Sequence, residues 1–264
     1  MKKTLIRLLP CLVIASLATG CATAPKNYTG QVPFASIAQP KSATFYNPDG
    51  SFNQAIGKQA YYDMMRAYHY PISPMLKTED FWTADFLQGD FAKVGMAGIF
   101  WKNVEGVYGE VGAKTYKGEF KDAKYGYLGH DIYLLPGQML PEHSHLGSKK
   151  GFGPKMETWH ITHGSVDFFS EYKGDGSETL ISAMPDSAKP WGYGKPWFKS
   201  KYVTTRVAGE VYSLGDPESW HFMRAGKNGA IVSEFATYHN DVQFSDPKME
   251  FGNSKAAEIT KRKQ

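Results

Sequence analysis

From about Phe81 onward the chain is a succession of short runs rich in aromatic and β-branched residues, broken every ~10 residues by Gly, Asn, Asp or Pro. KVGMAGIFW, DIYLL, ETWHITHGSVDFFSEY, KYVTTRV, EVYSL and AIVSEFATY are the clearest of them. Side chains alternate between the two faces of a strand. Many short strands at this spacing therefore bury one face each and close into a sandwich or barrel. One earlier segment has a different period. In residues 53–68, Ile56, Ala60, Met64 and Ala67 recur at helical spacing and Pro71 and Pro74 follow, which predicts one amphipathic helix. The expected architecture is all-β with one or two helices on its N-terminal side. At 42% hydrophobic and 21% charged, the chain is no disordered tail, collagen or coiled coil, and no internal repeat divides it.

The first residues read as an address. MKKTLIR is a basic segment, LLPCLVIASLA an apolar one too short to span a bilayer, and Ala18, Thr19 and Gly20 then precede Cys21. The pattern resembles a bacterial lipoprotein signal, with a plain secretory signal as the alternative. It implies that acylation of Cys21 holds the protein at a membrane surface without a spanning helix. Ala22 rather than Asp follows the cysteine, so an outer-membrane anchor facing the periplasm is expected. Residues 21–48, rich in Ala, Pro, Ser, Thr, Asn and Gly, predict a tether; a single domain over 49–255 and a tail over 256–264 follow. The leader carries Lys2, Lys3 and Arg7, so the net charge of +4 falls to +1 (4 − 3) without it, and nucleic acid is not an expected partner. Of the two cysteines, Cys11 leaves with the leader and Cys21 carries the lipid. The body then has no thiol for a disulfide, a nucleophile or a Cys-based zinc site, and any metal must be held by His, Asp and Glu.

Two of the eight histidines, His143 and His145, are two residues apart. In a strand both imidazoles point to one face and can share an ion. Such a pair also arises by chance on polar surfaces. Its surroundings carry more weight: Gly137 stands before it, Glu157 and Gly164 after it, and Asp216-Pro217-Glu218-Ser219-Trp220-His221 supplies a further histidine after a Pro-containing turn. This order resembles the two motifs of the cupin superfamily, and the resemblance implies a jelly-roll-like β-barrel with one metal held by His143, His145, Glu157 and His221. His160 has odd parity relative to Glu157 and should face outward; His163 precedes an expected turn at Gly164. His69, at the helix end, and His130, ahead of a strand, read as surface or packing residues.

Within cupins the chain resembles the D-lyxose isomerase family, over residues from about Phe81 to Met249. The likeness is carried by Asp85-Phe86-Leu87-Gln88-Gly89-Asp90-Phe91 with Lys93-Val94-Gly95, by Lys155-Met156-Glu157, and by Pro217 to His221 followed by Ser233-Glu234-Phe235 and Asn240-Asp241. The eleven residues between His145 and Glu157 form a longer interval than in that family. They are Gly- and Lys-rich and read as a loop at the barrel mouth. The aromatic stretch 189–199, with Trp191 and Trp197, reads as a long loop over the barrel, a candidate lid.

The resemblance implies a sugar aldose–ketose isomerase that moves a proton between C1 and C2 through a cis-enediol with a divalent ion, Mn²⁺ first and Zn²⁺, Fe²⁺ or Co²⁺ as alternatives. Such chemistry needs a Lewis acid on adjacent oxygens, a carboxylate base and a cation or proton donor. Glu234 stands mid-strand in an apolar run, where burial is expected to raise its pKa toward that of a useful base. Lys155 is the candidate for polarising or protonating a sugar oxygen, and Asp241 for positioning a hydroxyl. The expected partners are a small sugar and, through the lipid alone, a membrane; a homodimer is compatible with the sequence. Two other readings stand beside this one. One is another metal-dependent cupin enzyme acting on sugar or uronic acid derivatives. The other is a non-catalytic carbohydrate-binding lipoprotein in which Trp159, Trp191 and Trp197 stack on sugar faces.

Overall fold

The computed structural model describes residues 41–104, 126–146, 154–238 and 242–252. The leader, Cys21, most of the expected tether, Asp241 and residues 253–264 lie outside them.

Among the described residues there is one α-helix, α1 (Gln54–Ala67), preceded and followed by short 3₁₀ turns. The strands are β1 (Phe81–Ala84), β2 (Met96–Val104), β3 (Tyr127–Leu134), β4 (His143–Ser144), β5 (Glu157–Ser170), β6 (Thr179–Leu180), β7 (Tyr202–Val207), β8 (Val211–Ser213), β9 (His221–Ala236) and β10 (Gln243–Phe244). They run in the order β1-β2-β3-β9-β5-β7-β6, with β8 on β5 and β4 bridging β9 and β10. The pairs within this path are antiparallel. This is the all-β cupin architecture that the sequence predicts.

Two long strands organise it. β5 and β9 pair from Glu157↔Ala236 to Ser170↔His221, with register shifts at Ile161/His163 and Gly164/Val166. The turn expected at Gly164 is a bulge inside a continuous strand. Gly164 (φ 78°) and Gly229 (φ 79°) lie back to back there, both in the left-handed region that only glycine adopts cheaply. A Cβ on Gly164 would lie 2.1 Å from the Gly229 carbonyl oxygen and 2.8 Å from the Tyr68 hydroxyl. Gly164→Ala is therefore expected to destabilise the fold by about 2 kcal/mol or more, read as a lower urea midpoint at unchanged slope.

Alternation sorts the core into two layers. On β3, Leu128, Ile132 and Leu134 point into the barrel, while Tyr133 and Asp131 point to the outer face, where α1 packs. The helix buries Gly57, Tyr61, Met64 and Met65, and Ile56 is 41% exposed, so its inner face is rotated from the one the Ile56/Ala60 spacing predicts. Hydrogen bonding explains the rotation. The Tyr61 hydroxyl donates to Gln138 Oε1 at 2.6 Å, and the Tyr68 hydroxyl reaches the carbonyls of Asn228 (3.0 Å) and Gly229 (3.3 Å) at the bulge. Both rings bury large area without stranding a polar tip. The folded body also starts earlier than residue 49. Phe45 is 2% exposed and packs edge-on against Phe91 at 4.9 Å, and Tyr46 bridges Phe52. No helix among the described residues is long and apolar enough to cross a membrane.

Candidate metal centre and active site

Pairing brings the sequence-predicted ligands together. β4 places His143 directly opposite His221 at the start of β9. Glu157, Trp159 and Ile161 share the inward face of β5, as their parity requires, and His160 is on the other face. The three histidines offer ligand atoms within 4.8 Å of one another. Glu157 reaches two of them, with Oε2 3.1 Å from His221 Nε2 and Oε1 3.5 Å from His145 Nε2.

Backbone carbonyls fix the tautomers. Nδ1–H of His143 donates to Pro141 O and Nδ1–H of His221 donates to Ser219 O, each at 2.9 Å. Neutral rings held this way present Nε2 lone pairs. His221 Nε2 and Glu157 Oε2 then face each other as two acceptors, and neither has a hydrogen-bond partner. That arrangement is favourable only with positive charge in the gap. Two donors ~2.1 Å from one ion and at right angles to it would be about 3 Å apart. The donor set thus fits a divalent ion. The same gap attracts a proton: burial opposes charge on His221, yet the Glu157 carboxylate outweighs it and raises its pKa above the ordinary histidine value, so proton and cation compete for one place. Burial, then the neighbouring imidazoles of His221 and His145, hold His143 well below that value.

The second group on this wall is Glu234. It lies on central strand β9 and is 3% exposed, opposite His130 on β3 and Trp159 on β5. Lys155 Nζ contacts Glu234 Oε1 and lies 2.8 Å from Glu157 Oε1. One buried ammonium thus joins the ligand carboxylate to the candidate base. Burial alone would raise the pKa of Glu234, as the sequence suggests, but Lys155 and then His130 more than offset it and hold it at about 2. The expected upward shift is therefore corrected to a downward one. Burial works against the charge of Lys155, but the two carboxylates outweigh burial and its pKa rises, which favours the polarising over the protonating part of the expectation for it.

His130, read from the sequence as a surface or packing residue, is part of this cavity wall. It lies inside β3, is 6% exposed, and its Nδ1 is 3.1 Å from Glu234 Oε2. Its ring packs against Phe100 (4.4 Å) and Trp82 (5.8 Å), which also touch each other. Gly98 leaves the room, since a Cβ there would come 2.5 Å from His130 Nε2. The available signal was parity: His130 shares the inward period of Leu128, Ile132 and Leu134, where an imidazole needs a reason. His163, by contrast, packs on Tyr68 and Tyr70 outside the barrel.

These groups line one cavity, together with Trp82, Trp159 and a ring of apolar side chains. Trp191 and Trp197 do not line it; they pack on each other in a tilted contact at 5.4 Å, and Trp191 borders a separate outer groove with Lys93 and Arg224. The stretch expected as a lid is fastened down at its end. Glu142 accepts the Lys199 and Ser200 backbone N–H groups, at 2.9 and 2.7 Å, and the Ser200 hydroxyl at 2.6 Å. A sugar platform built on Trp191 and Trp197 therefore has no place at this site.

No protein-family model matches the chain. In sequence it is 27% identical to the D-lyxose/D-mannose isomerase of Thermosediminibacter oceani over 192 residues, 71% of this chain and 88% of that one. It is 30% identical to the D-lyxose ketol-isomerase of Cohnella laeviribosi over 128 residues, 47% of this chain and 64% of that one. Among solved structures, ligand-free L-ribose isomerase of Cellulomonas parahominis superposes with a TM-score of 0.53 at 17% identity, covering 79% of this chain and 96% of that one, a likeness of fold alone. The chain thus has an all-β cupin fold and a sequence similar to those of sugar aldose–ketose isomerases.

Proposed function

We propose that the protein is a sugar aldose–ketose isomerase of the D-lyxose isomerase kind. It would bind one divalent ion, Mn²⁺ first among the candidates, through His143, His145, Glu157 and His221. The observation that carries this reading is the placement of Glu234 on the same cavity wall as the histidine cluster, joined to Glu157 through Lys155. When bound, the ion supplies Lewis acidity toward adjacent sugar oxygens. Glu234, ionised at neutral pH, takes the proton from C2 of the aldose and, once that proton has exchanged with solvent, delivers one to C1 of the enediol. Lys155 keeps a positive charge where oxygen charge develops. His130 donates Nδ1–H to Glu234 Oε2 and fixes the carboxylate's orientation.

The direct test is isomerisation in D₂O with a panel of pentoses, hexoses and unsaturated uronates. Deuterium at C2 of recovered aldose supports the reading, and its absence across all sugars with the Mn²⁺-loaded protein overturns it. The role of His130 has its own test. His130→Phe is expected to lower kcat by about tenfold or more with KM and ion content within threefold, and His130→Asn, whose amide keeps a donor near the Nδ1 position, should recover much of the loss.

We further propose, from the leader alone, that the protein is exported and lipid-anchored at Cys21, in the outer membrane facing the periplasm. Cys21→Ser should give an unprocessed or freely soluble periplasmic form, whereas Cys11→Ser should change nothing. Retention of a processed Cys21→Ser protein on alkali-washed membranes would place the anchor elsewhere.

A further inference from the structure

The cavity lining divides by chemistry. Among the described lining residues every carboxylate, ammonium and imidazole belongs to the cluster around the histidines, Lys155 and Glu234. Away from it the wall is Phe86, Phe100, Leu140, Val242, Phe244 and Phe251. Phe86, Phe244 and Phe251 form a closed ring triplet, with centroids 5.2 to 5.6 Å apart. Phe100, Val242, Phe244 and Phe251 are only half-buried, so they keep apolar surface that a ligand can cover. No hydroxyl or amide side chain is among the described lining residues. The remaining polar side-chain atoms among the described lining residues are the indole N–H groups of Trp82 and Trp159, which have no hydrogen-bond partner and can only donate.

A free aldose bound with O1 and O2 at the ionic wall must put its distal carbons somewhere. A terminal hydroxyl pressed against these rings and aliphatic chains finds no side-chain acceptor among the described residues, and losing water without that replacement weakens binding. A methyl group in the same place covers apolar surface instead. We propose that the substrate is a deoxy sugar, an aldose whose terminal carbon is a methyl group seated against the Phe86–Phe244–Phe251 triplet. This rests on the isomerase reading above and adds the substrate class to it. The reaction is unchanged in its balance: one proton leaves C2 and one arrives at C1, the hydroxyl proton passes from O2 to O1, and no oxidant or reductant is needed.

The experiment compares matched pairs that differ only at the terminal carbon: D-mannose with 6-deoxy-D-mannose, and D-lyxose with 5-deoxy-D-lyxose. Initial rates of deuterium uptake are measured with the Mn²⁺-loaded full chain. The deoxy member of at least one pair should show a kcat/KM about tenfold higher or more. A ratio below about threefold in both pairs, with deuterium uptake present, overturns the proposal while leaving the isomerase standing. No uptake from any of the four sugars overturns the isomerase reading, and the proposal with it. Thermal shift reads the same preference without turnover, since at equal concentration the deoxy sugar should raise Tm more. Phe251→Tyr locates the methyl. It adds a hydroxyl to that wall and should shrink the deoxy preference at least about threefold, and an unchanged preference would overturn the seating at this triplet.

Discussion

Glu234→Gln is expected to lower turnover by about 10²- to 10⁴-fold while ion content and sugar affinity stay within a few-fold of wild type. Glutamine keeps the volume, and its carbonyl oxygen still accepts from His130 Nδ1–H across the 3.1 Å contact. Lys155 keeps Glu157 at 2.8 Å, so the ligand wall is held. What the amide loses is the ability to take a proton from carbon. Steady-state kinetics beside elemental analysis checks this, and wild-type turnover would send the search for the base to Asp241. The same carboxylate has a signature in stability. Its pKa is lowered from 4.5 to about 2 in the fold, so the stability it contributes is complete above about pH 4.5 and is lost as pH falls through about 2. In Glu234→Gln that part of the acid sensitivity should be missing from chemical denaturation measured across the window.

His221→Ala should lose most of the bound ion, with affinity falling about 10²-fold or more, because it removes one ring and leaves Glu157 Oε2 facing nothing. Glu157→Gln should do the same by another route and weaken the ion before it slows chemistry, the reverse of Glu234→Gln. Elemental analysis of the purified variants decides both, and full ion content in His221→Ala would remove it from the ligand set. Protons compete for these donors. Glu157 raises the pKa of His221, so competition begins at a higher pH than for an ordinary histidine, and ion affinity should already be falling as pH drops to about 6.5.

Much of this was legible in the sequence because it is local or ordered along the chain. Strand spacing announces the barrel, and the cupin resemblance carried by Gly137, His143, His145, Glu157 and His221 singles out side chains that the structure brings together. The missed features depend on which strands become neighbours. His130 meets Glu234 only because β3 pairs with β9 in the register that sets them opposite. Gly129 beside it interrupts the alternation that would otherwise mark β3 as a strand reaching back to Tyr127. The pKa of Glu234 was misread for a related reason: burial is readable from an apolar run, but the ammonium that outweighs it arrives from another segment. The rotated face of α1 follows the Tyr61 and Tyr68 hydroxyls to Gln138 and to the bulge, partners 77 and 160 residues away.

The ladder between β5 and β9 has a topological consequence. Glu157 belongs to one end of that ribbon, paired with Ala236, and His221 to the other, paired with Ser170. Drawn straight, the thirteen-residue interval from Glu157 to Ser170 would separate the ends by roughly 40 Å. Instead, Glu157 and His221 meet at 3.1 Å. The ribbon has curled until its ends touch, and a cation gripped by both would act as the clasp of a bracelet. Occupancy then measures whether the loop is shut, and amides near Gly164 and Gly229, far from any ligand, should exchange more slowly with solvent once the clasp is fastened.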